Sequence, residues 1–436
     1  MVQDLGQVIC PPYDVIDPAE QEELHKRHPW NVVRLELGEE IPGDDQQENR
    51  YTRAARFLQD WRSKGVLVRD PSPALYLYHH HFQGPNGHRL TRRGLVALLY
   101  LEPLEGGVVF PHEKTFLKHK EDRLELLRAC RAQFNPVFSI FPDPECQVMP
   151  LLEPPNREPE MTVEDGYGVK HLIWSLNEES FIREVMRSME GKPIFIADGH
   201  HRYETSLAYK RQMAQESDPP APSNWTLMYL APMEDPGLVI FPTHKLVQGI
   251  PDFDPEAFLS DLRRHFQLQE IPFSPQGESA ARAMLARRMK ELRHDGWAVG
   301  MALGGRQAYW ILRSKEDGCG SPMLSSVPEC LRELDVTILH ELILKARLGI
   351  DVGGKGQSHL IFSHDLNQAL DLATSGRIQA AFLMNPVPVS ALMRAAASGC
   401  KMPQKATYFY PKLLSGLLLR TMDVEDRVPS YDLPLS

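Results

Sequence analysis

Long apolar runs are missing from this chain of 436 residues, and none reaches the roughly 18 apolar positions a membrane-spanning helix needs. Its first residues, MVQDLGQVIC, have neither a basic start nor an apolar stretch, so they do not read as a signal peptide. Positive charge is also short. Lys and Arg number 48 against 58 Asp and Glu, and the net charge of −10 argues against binding nucleic acid or anionic membrane through overall charge. The six cysteines (Cys10, Cys130, Cys146, Cys319, Cys330, Cys400) contain no CxxC pair, which disfavours a zinc ribbon or redox dithiol. They read as reduced, mostly buried thiols of a cytoplasmic protein. GxGxxG and GxSxG are absent. GIDVGGKG (349–356) has P-loop spacing, but it follows a helix and carries Gly356 where Ser or Thr belongs. No internal repeat or low-complexity tract is found.

A hydrophobic fraction of 42% supports ordinary globular cores. The length has room for two or three domains of roughly 150 residues. Prolines number 36, often in PP, PxP and DP clusters, so the chain turns often. PPYDVI (11–16) reads as a rigid entry into a strand, and NVVRLELG (31–38) as a strand. Helices are predicted over 47–64, 118–130, 177–189 and from Gly199 to about Gln215. Strands are predicted over 135–142 and 193–197, and a hairpin turns at GPNG (84–87). ESDPPAPSN (216–224) is the natural boundary between a domain of 1–220 and one of 225–436. The second half opens with two predicted hairpins, TLMYLAPM with GLVIFPTH and WAVGMAL with AYWILRS. Helices over 335–348 and near 365–375 and 389–398 follow, alternating with strands. The pattern predicts a mixed α/β or α+β fold.

The sharpest chemical feature is PIFIADGHHRYETS (193–206). An apolar strand ends at Asp198, a good N-cap residue, and a helix follows at once. Helix-start N–H groups and the dipole make such a turn a phosphate seat, and Gly199 lets an anion approach the backbone. His200, His201 and Arg202 add donors, and Arg202 can grip two phosphate oxygens. Adjacent helical histidines diverge by about 100°, so no metal site is expected there. The plainer alternative is a capped helix with polar surface residues. A second cluster, PHEKTFLKHKEDR (111–123), offers Glu113 as a general base. Beside it, His112, Lys118 and Arg123 are candidate phosphate contacts. Its alternative is a solvated helix start with ion pairs such as Lys118–Asp122. PTHK (242–245) and MPQKATYFYPK (402–412) are weaker clusters and read as structural.

PPYDVI, NVVRLELG, TRRGLVAL, PHEKT with KEDR, ADGHHRYET, PTHK and QKATYFYPKLLSG occur in this order. Together they resemble the bacterial family known as domain of unknown function 1015. One departure is the Lys of PTHK, where that family usually shows Arg. The ADGHHRY turn by itself resembles the ParB/sulfiredoxin superfamily, whose members bind nucleotide phosphates there. One archaeal branch is an ADP-dependent kinase of free serine with an acidic base. The resemblance implies a ParB/sulfiredoxin-like, nucleotide-binding N-terminal half and a second α/β domain. It also implies phosphate binding by Asp198, Gly199, His200, His201 and Arg202. For the base it leaves Glu113, Glu36 and Asp14, in that order. Sulfiredoxin chemistry would need a cysteine close to the turn, and none is near. The expected function is a nucleotide-dependent phosphotransferase acting on a small hydroxyl compound such as free serine. Glu113, Asp198 and His200 form its catalytic set, with ATP or ADP and Mg²⁺ as cofactors. The alternative is a nucleotide-binding regulatory module with slow or no hydrolysis. The expected partners are the nucleotide and the small substrate, without nucleic acid or membrane, and a homodimer is left open.

Overall fold

Segments rich in Leu, Val, Phe and Tyr form the strands of a nine-stranded mixed sheet. They are Leu75–Gln83 (β1), Arg89–Arg92 (β2), Leu95–Tyr100 (β3), Val109–Phe110 (β4), Val137–Phe141 (β5), Met161–Glu164 (β6), Lys170–Leu176 (β7), Ile194–Asp198 (β8) and Trp225–Pro232 (β9). Their spatial order is β4-β8-β5-β9-β3-β1-β7-β6, with β2 on β1. β4/β8 and β5/β9 run parallel, and the other pairs antiparallel. The helices of this unit are Pro18–Arg27 (α1), Val33–Glu36 (α2), Arg50–Ser63 (α3), Leu117–Cys130 (α4), Glu179–Met189 (α5) and His200–Met213 (α6). Tyr203 and Leu207 of α6 pack with Leu77, Val137, Ile196 and Met228 of the sheet. A second core joins Leu24, Leu35, Leu58 and Trp61 to Leu126 of α4.

The computed structural model describes residues 4–85, 87–115, 117–214, 221–293, 296–315, 324–351, 356–403, 405–423, 426 and 428–429. The chain divides into two compact units. The first, which holds the large sheet, takes Met1–Pro111, Thr115–Val239 and Phe409–Ser436, and the second takes His112–Lys114 and Ile240–Tyr408. The second unit is built on a six-stranded antiparallel sheet, in the order Phe266–Pro272, Ala308–Ser314, Val299–Leu303, Ala380–Leu383, His244–Val247, Leu360–Ser363. Apolar residues cover both of its faces, Met301, Trp310, Leu339 and Phe382 on one and Leu285, Tyr309, Leu370 and Ala381 on the other. The fold is thus mixed α/β.

Several local expectations change. NVVRLELG forms the short helix α2, not a strand, because Asn31 anchors it. The Asn31 Oδ1 accepts the Val33 N–H, while its Nδ2 donates to the carbonyls of Gln7 and Ile9. PPYDVI makes a turn closed by Val15 N–H on the Pro12 carbonyl. Trp225–Pro232 forms no hairpin with its successor, since both its edges are taken by β3 and β5. That strand and the residues from Phe409 onward belong to the first unit, unlike the 1–220 and 225–436 division. Residues 215–220, the core of the expected linker, and Asn86 of the hairpin lie outside the described residues. Two cysteines expected as thiols are joined, Cys330 to Cys400 across 70 residues. Cys10 and Cys130 are buried thiols and Cys146 is exposed. Among the described residues no helix is long and apolar enough to cross a membrane.

Candidate functional site

The strand–turn–helix unit forms where the sequence places it. β8 ends at Asp198, Gly199 takes φ 88° and ψ 30°, and α6 begins at His200. That left-handed conformation suits glycine, which has no Cβ to clash. A Cβ at position 199 would lie 2.8–2.9 Å from three guanidinium atoms of Arg202. The antiparallel pairing of β5 with β8 is irregular here: Ser139 faces Ile196, and Phe138 then faces Asp198. Such irregularities re-aim side chains at a strand end.

Asp198 does not cap α6. Its N-cap is Gly199, which makes no side-chain cap hydrogen bond. The Asp198 carboxylate is turned to two cations instead: Oδ2 accepts from Arg202 Nη2 at 2.8 Å and Oδ1 from Lys412 Nζ at 2.7 Å. Each of these bonds pairs the carboxylate with a full positive charge, where a cap would pair it with uncharged N–H groups. Burial by itself would raise the Asp198 carboxyl, but Lys412 and Arg202 together hold it well below the usual carboxylate range. Arg202 is equally committed to protein. Its Nη1 donates to the Pro136 carbonyl at 2.6 Å and to the Asn135 side-chain oxygen, so it lies under the turn and does not reach outward as a phosphate fork. The side-chain amide of Asn135 also donates to Ser415 Oγ and the Leu413 carbonyl, fixing the segment that carries Lys412.

His200 is buried at 3% exposure. His201 is half-buried, edge-on to His119 at 5.2 Å between ring centroids. Burial first, and then His119, push the His201 imidazole down to about 4, so it is neutral at physiological pH. Glu204, one turn further along α6, accepts from Thr115 Oγ1 and Lys120 Nζ.

The second cluster divides. Lys118 is exposed on α4, and the expected Lys118–Asp122 pair does not form, because Asp122 accepts from Arg50, Tyr51 and Arg123. Arg123 is buried, donating to the Glu36 carbonyl at 2.7 Å with its guanidinium 4.1 Å from the Tyr13 ring centroid. Its Nη1 lies 3.6 Å from Glu36 Oε1. Burial raises the Glu36 carboxyl above its ordinary value, against the pull of Arg123 and Arg202. Glu36, Arg123, Asn135, Arg202 and Thr205 line one cavity of about 50 Å³. That is room for a few waters, far below the roughly 300 Å³ of a small-ligand pocket. Asp14, the third acid considered, is exposed, and its charge bears on both Glu36 and His201. Glu113 and His112 belong to the second unit. There Glu113 Oε1 accepts the Lys405 N–H at 2.7 Å, and His112 Nε2 lies 3.0 Å from Thr407 Oγ1.

One unit therefore brings together Asp198, Gly199, His200, His201, Arg202, Arg123 and Glu36, and adds Lys412 and Asn135, which the sequence did not single out. Lys412 stands in a block read as structural, where it is a cation beside prolines and tyrosines, although QKATYFYPKLLSG is also one of the blocks that carry the resemblance. The model of the family described as protein of unknown function (DUF1015) matches residues 2–337. The chain belongs to that family. No curated protein matches it. Among solved structures, this DUF1015 chain is similar to a free serine kinase variant in complex with ADP, at 12% identity and a TM-score of 0.36 over 72% of this chain and 87% of that one. It is also similar to a conserved hypothetical protein from Pyrococcus furiosus, at 13% identity and a TM-score of 0.33 over 72% and 90% of the two chains. A third is C-terminally truncated SbnI from Staphylococcus aureus, at 10% identity and a TM-score of 0.34 over 73% and 85%.

Proposed function

We propose that the first unit binds the phosphates of ATP or ADP at the start of α6 and transfers a phosphoryl group to a small hydroxyl compound such as free serine. The observation that carries this reading is the turn itself: a helix start without a side-chain cap, behind a left-handed glycine, beside a carboxylate that two cations already hold. Phosphoryl transfer asks chiefly for positioning and charge neutralisation, and this arrangement concentrates positive potential where phosphate oxygens would lie. Glu36 takes the role of base ahead of Glu113. It shares a cavity with Arg202 in the same unit, whereas Glu113 is engaged by the Lys405 amide in the other. Mg²⁺ does not fit as a protein-held ion here, since both oxygens of Asp198 accept from cations. No group of three or more His, Cys, Asp or Glu converges among the described residues. Metal would arrive with the nucleotide phosphates, a common arrangement for Mg²⁺. A cytoplasmic location would supply nucleotide and acceptor together.

One observation favours the second reading, a nucleotide-binding regulatory module. Glu36 is 4% exposed and close to Arg123, so a base there must be uncovered before an acceptor can reach it. Incubation with ATP or ADP, Mg²⁺ and serine, followed by ³¹P NMR, separates the two. Appearance of a phosphomonoester supports the kinase, while nucleotide binding without any transfer leaves the module.

A further inference from the structure

The chain leaves the first unit near Val239 and returns at Phe409, and three residues after that return it delivers Lys412 to the α6 turn. The ammonium sits 2.7 Å from Asp198 Oδ1, and the side chains of Lys412 and Asp198 keep 13% and 17% of their surface exposed. Two cations thus share one carboxylate at a helix start that adds positive dipole of its own. Nearby, Thr205 is 4% exposed and its Oγ1 has no hydrogen-bond partner among the described residues, while lining the same cavity as Arg202. The two cations differ in kind. Arg202 is tied to Asn135, Pro136 and Asp198 beneath Gly199. Lysine carries a compact charge with three donors on a flexible four-carbon stem, which can swing a short way while keeping one bond.

We propose that Lys412 is a phosphate-binding residue of the α6 turn, held ready by Asp198 and supplied from beyond the second unit. This rests on the nucleotide reading above and adds the residue that would make that site respond to phosphate charge. Titration calorimetry of the full chain with adenosine, AMP and ADP tests it, using wild type, Lys412→Ala and Lys412→Arg. In Lys412→Ala, ADP affinity should fall roughly tenfold to a hundredfold, the size expected for a charged hydrogen bond. AMP should lose less and adenosine nothing, and Lys412→Arg should stay within a few-fold of wild type. A lysine that merely propped up the turn would weaken all three ligands alike, and that result overturns the proposal. So does an unchanged ADP affinity in Lys412→Ala, which would leave the nucleotide reading standing. A wild type that binds none of the three ends both. Should Lys412→Ala lose its cooperative melting transition, Lys412→Gln against Lys412→Arg keeps the stem and reads the same charge dependence.

Discussion

Replacing Gly199 by alanine tests whether the turn is built as described, because two separable costs meet there. The backbone stands at φ 88°, and a left-handed conformation costs a residue with a Cβ roughly 1–2 kcal/mol. The new Cβ would also meet the Arg202 guanidinium at 2.8–2.9 Å. Arg202 cannot yield freely, since Asn135, Pro136 and Asp198 hold it, and giving up one such charged bond costs about 1.5–3 kcal/mol. Together these give about 2.5–5 kcal/mol, or a fall in melting temperature of roughly 5–20 °C for a unit of this size. Gly107 supplies the control. It also has positive φ, at 74°, but a Cβ there would meet nothing within 4 Å among the described residues. Differential scanning calorimetry should show Gly107→Ala paying the backbone cost alone and Gly199→Ala clearly more. Equal shifts for the two variants would refute the packing of Arg202 under the turn.

Three further outcomes are expected. Glu36→Gln should lower phosphoryl transfer by roughly 10²-fold or more while leaving ADP affinity nearly unchanged, and a variant with full transfer removes Glu36 as the base. Lys245 is wholly buried, and burial pushes its ammonium down to about 7. The unfolded chain holds that proton up to about pH 10.4, so the residue's cost is complete below pH 7 and fades as pH rises from 7 to 10. Lys245→Met should therefore stabilise the protein by a few kcal/mol at pH 6 and lose that advantage near pH 10, as followed by urea unfolding; a difference independent of pH contradicts this assignment. Joining Cys330 to Cys400 closes a loop across 70 residues, worth about 4 kcal/mol on chain-entropy grounds. A reductant should accordingly lower the melting temperature of wild type but not of Cys330→Ser, and equal responses would mean the bond contributes nothing.

How much was legible in the sequence depended on whether the signal was local. PIFIADGHHRYETS gave its strand, turn and helix because an apolar run, a glycine and a helical pattern sit side by side. The capping role of Asp198 did not follow, because a cation 214 positions away competes for it. NVVRLELG alternates like a strand, yet the amide of Asn31 dictates a helical turn through contacts with Gln7 and Ile9. The hairpin expected at Trp225–Pro232 failed because its edges are claimed by strands far back in the chain, Leu95–Tyr100 and Val137–Phe141. Glu113 looked catalytic from its charged neighbours in sequence, whereas the structure engages it with Lys405. Cys330 and Cys400 gave no spacing signal, since their pairing depends on the tertiary packing of the second unit.

The central claim is that the α6 turn is a nucleotide phosphate seat, and titration calorimetry of the wild-type chain with ADP tests it most directly. Saturable binding of one ADP per chain is expected, weakening as salt rises and weakened in Gly199→Ala, where a Cβ would push the Arg202 guanidinium from beneath the turn. Absence of any heat up to millimolar ADP, or binding that Gly199→Ala leaves untouched, would contradict it.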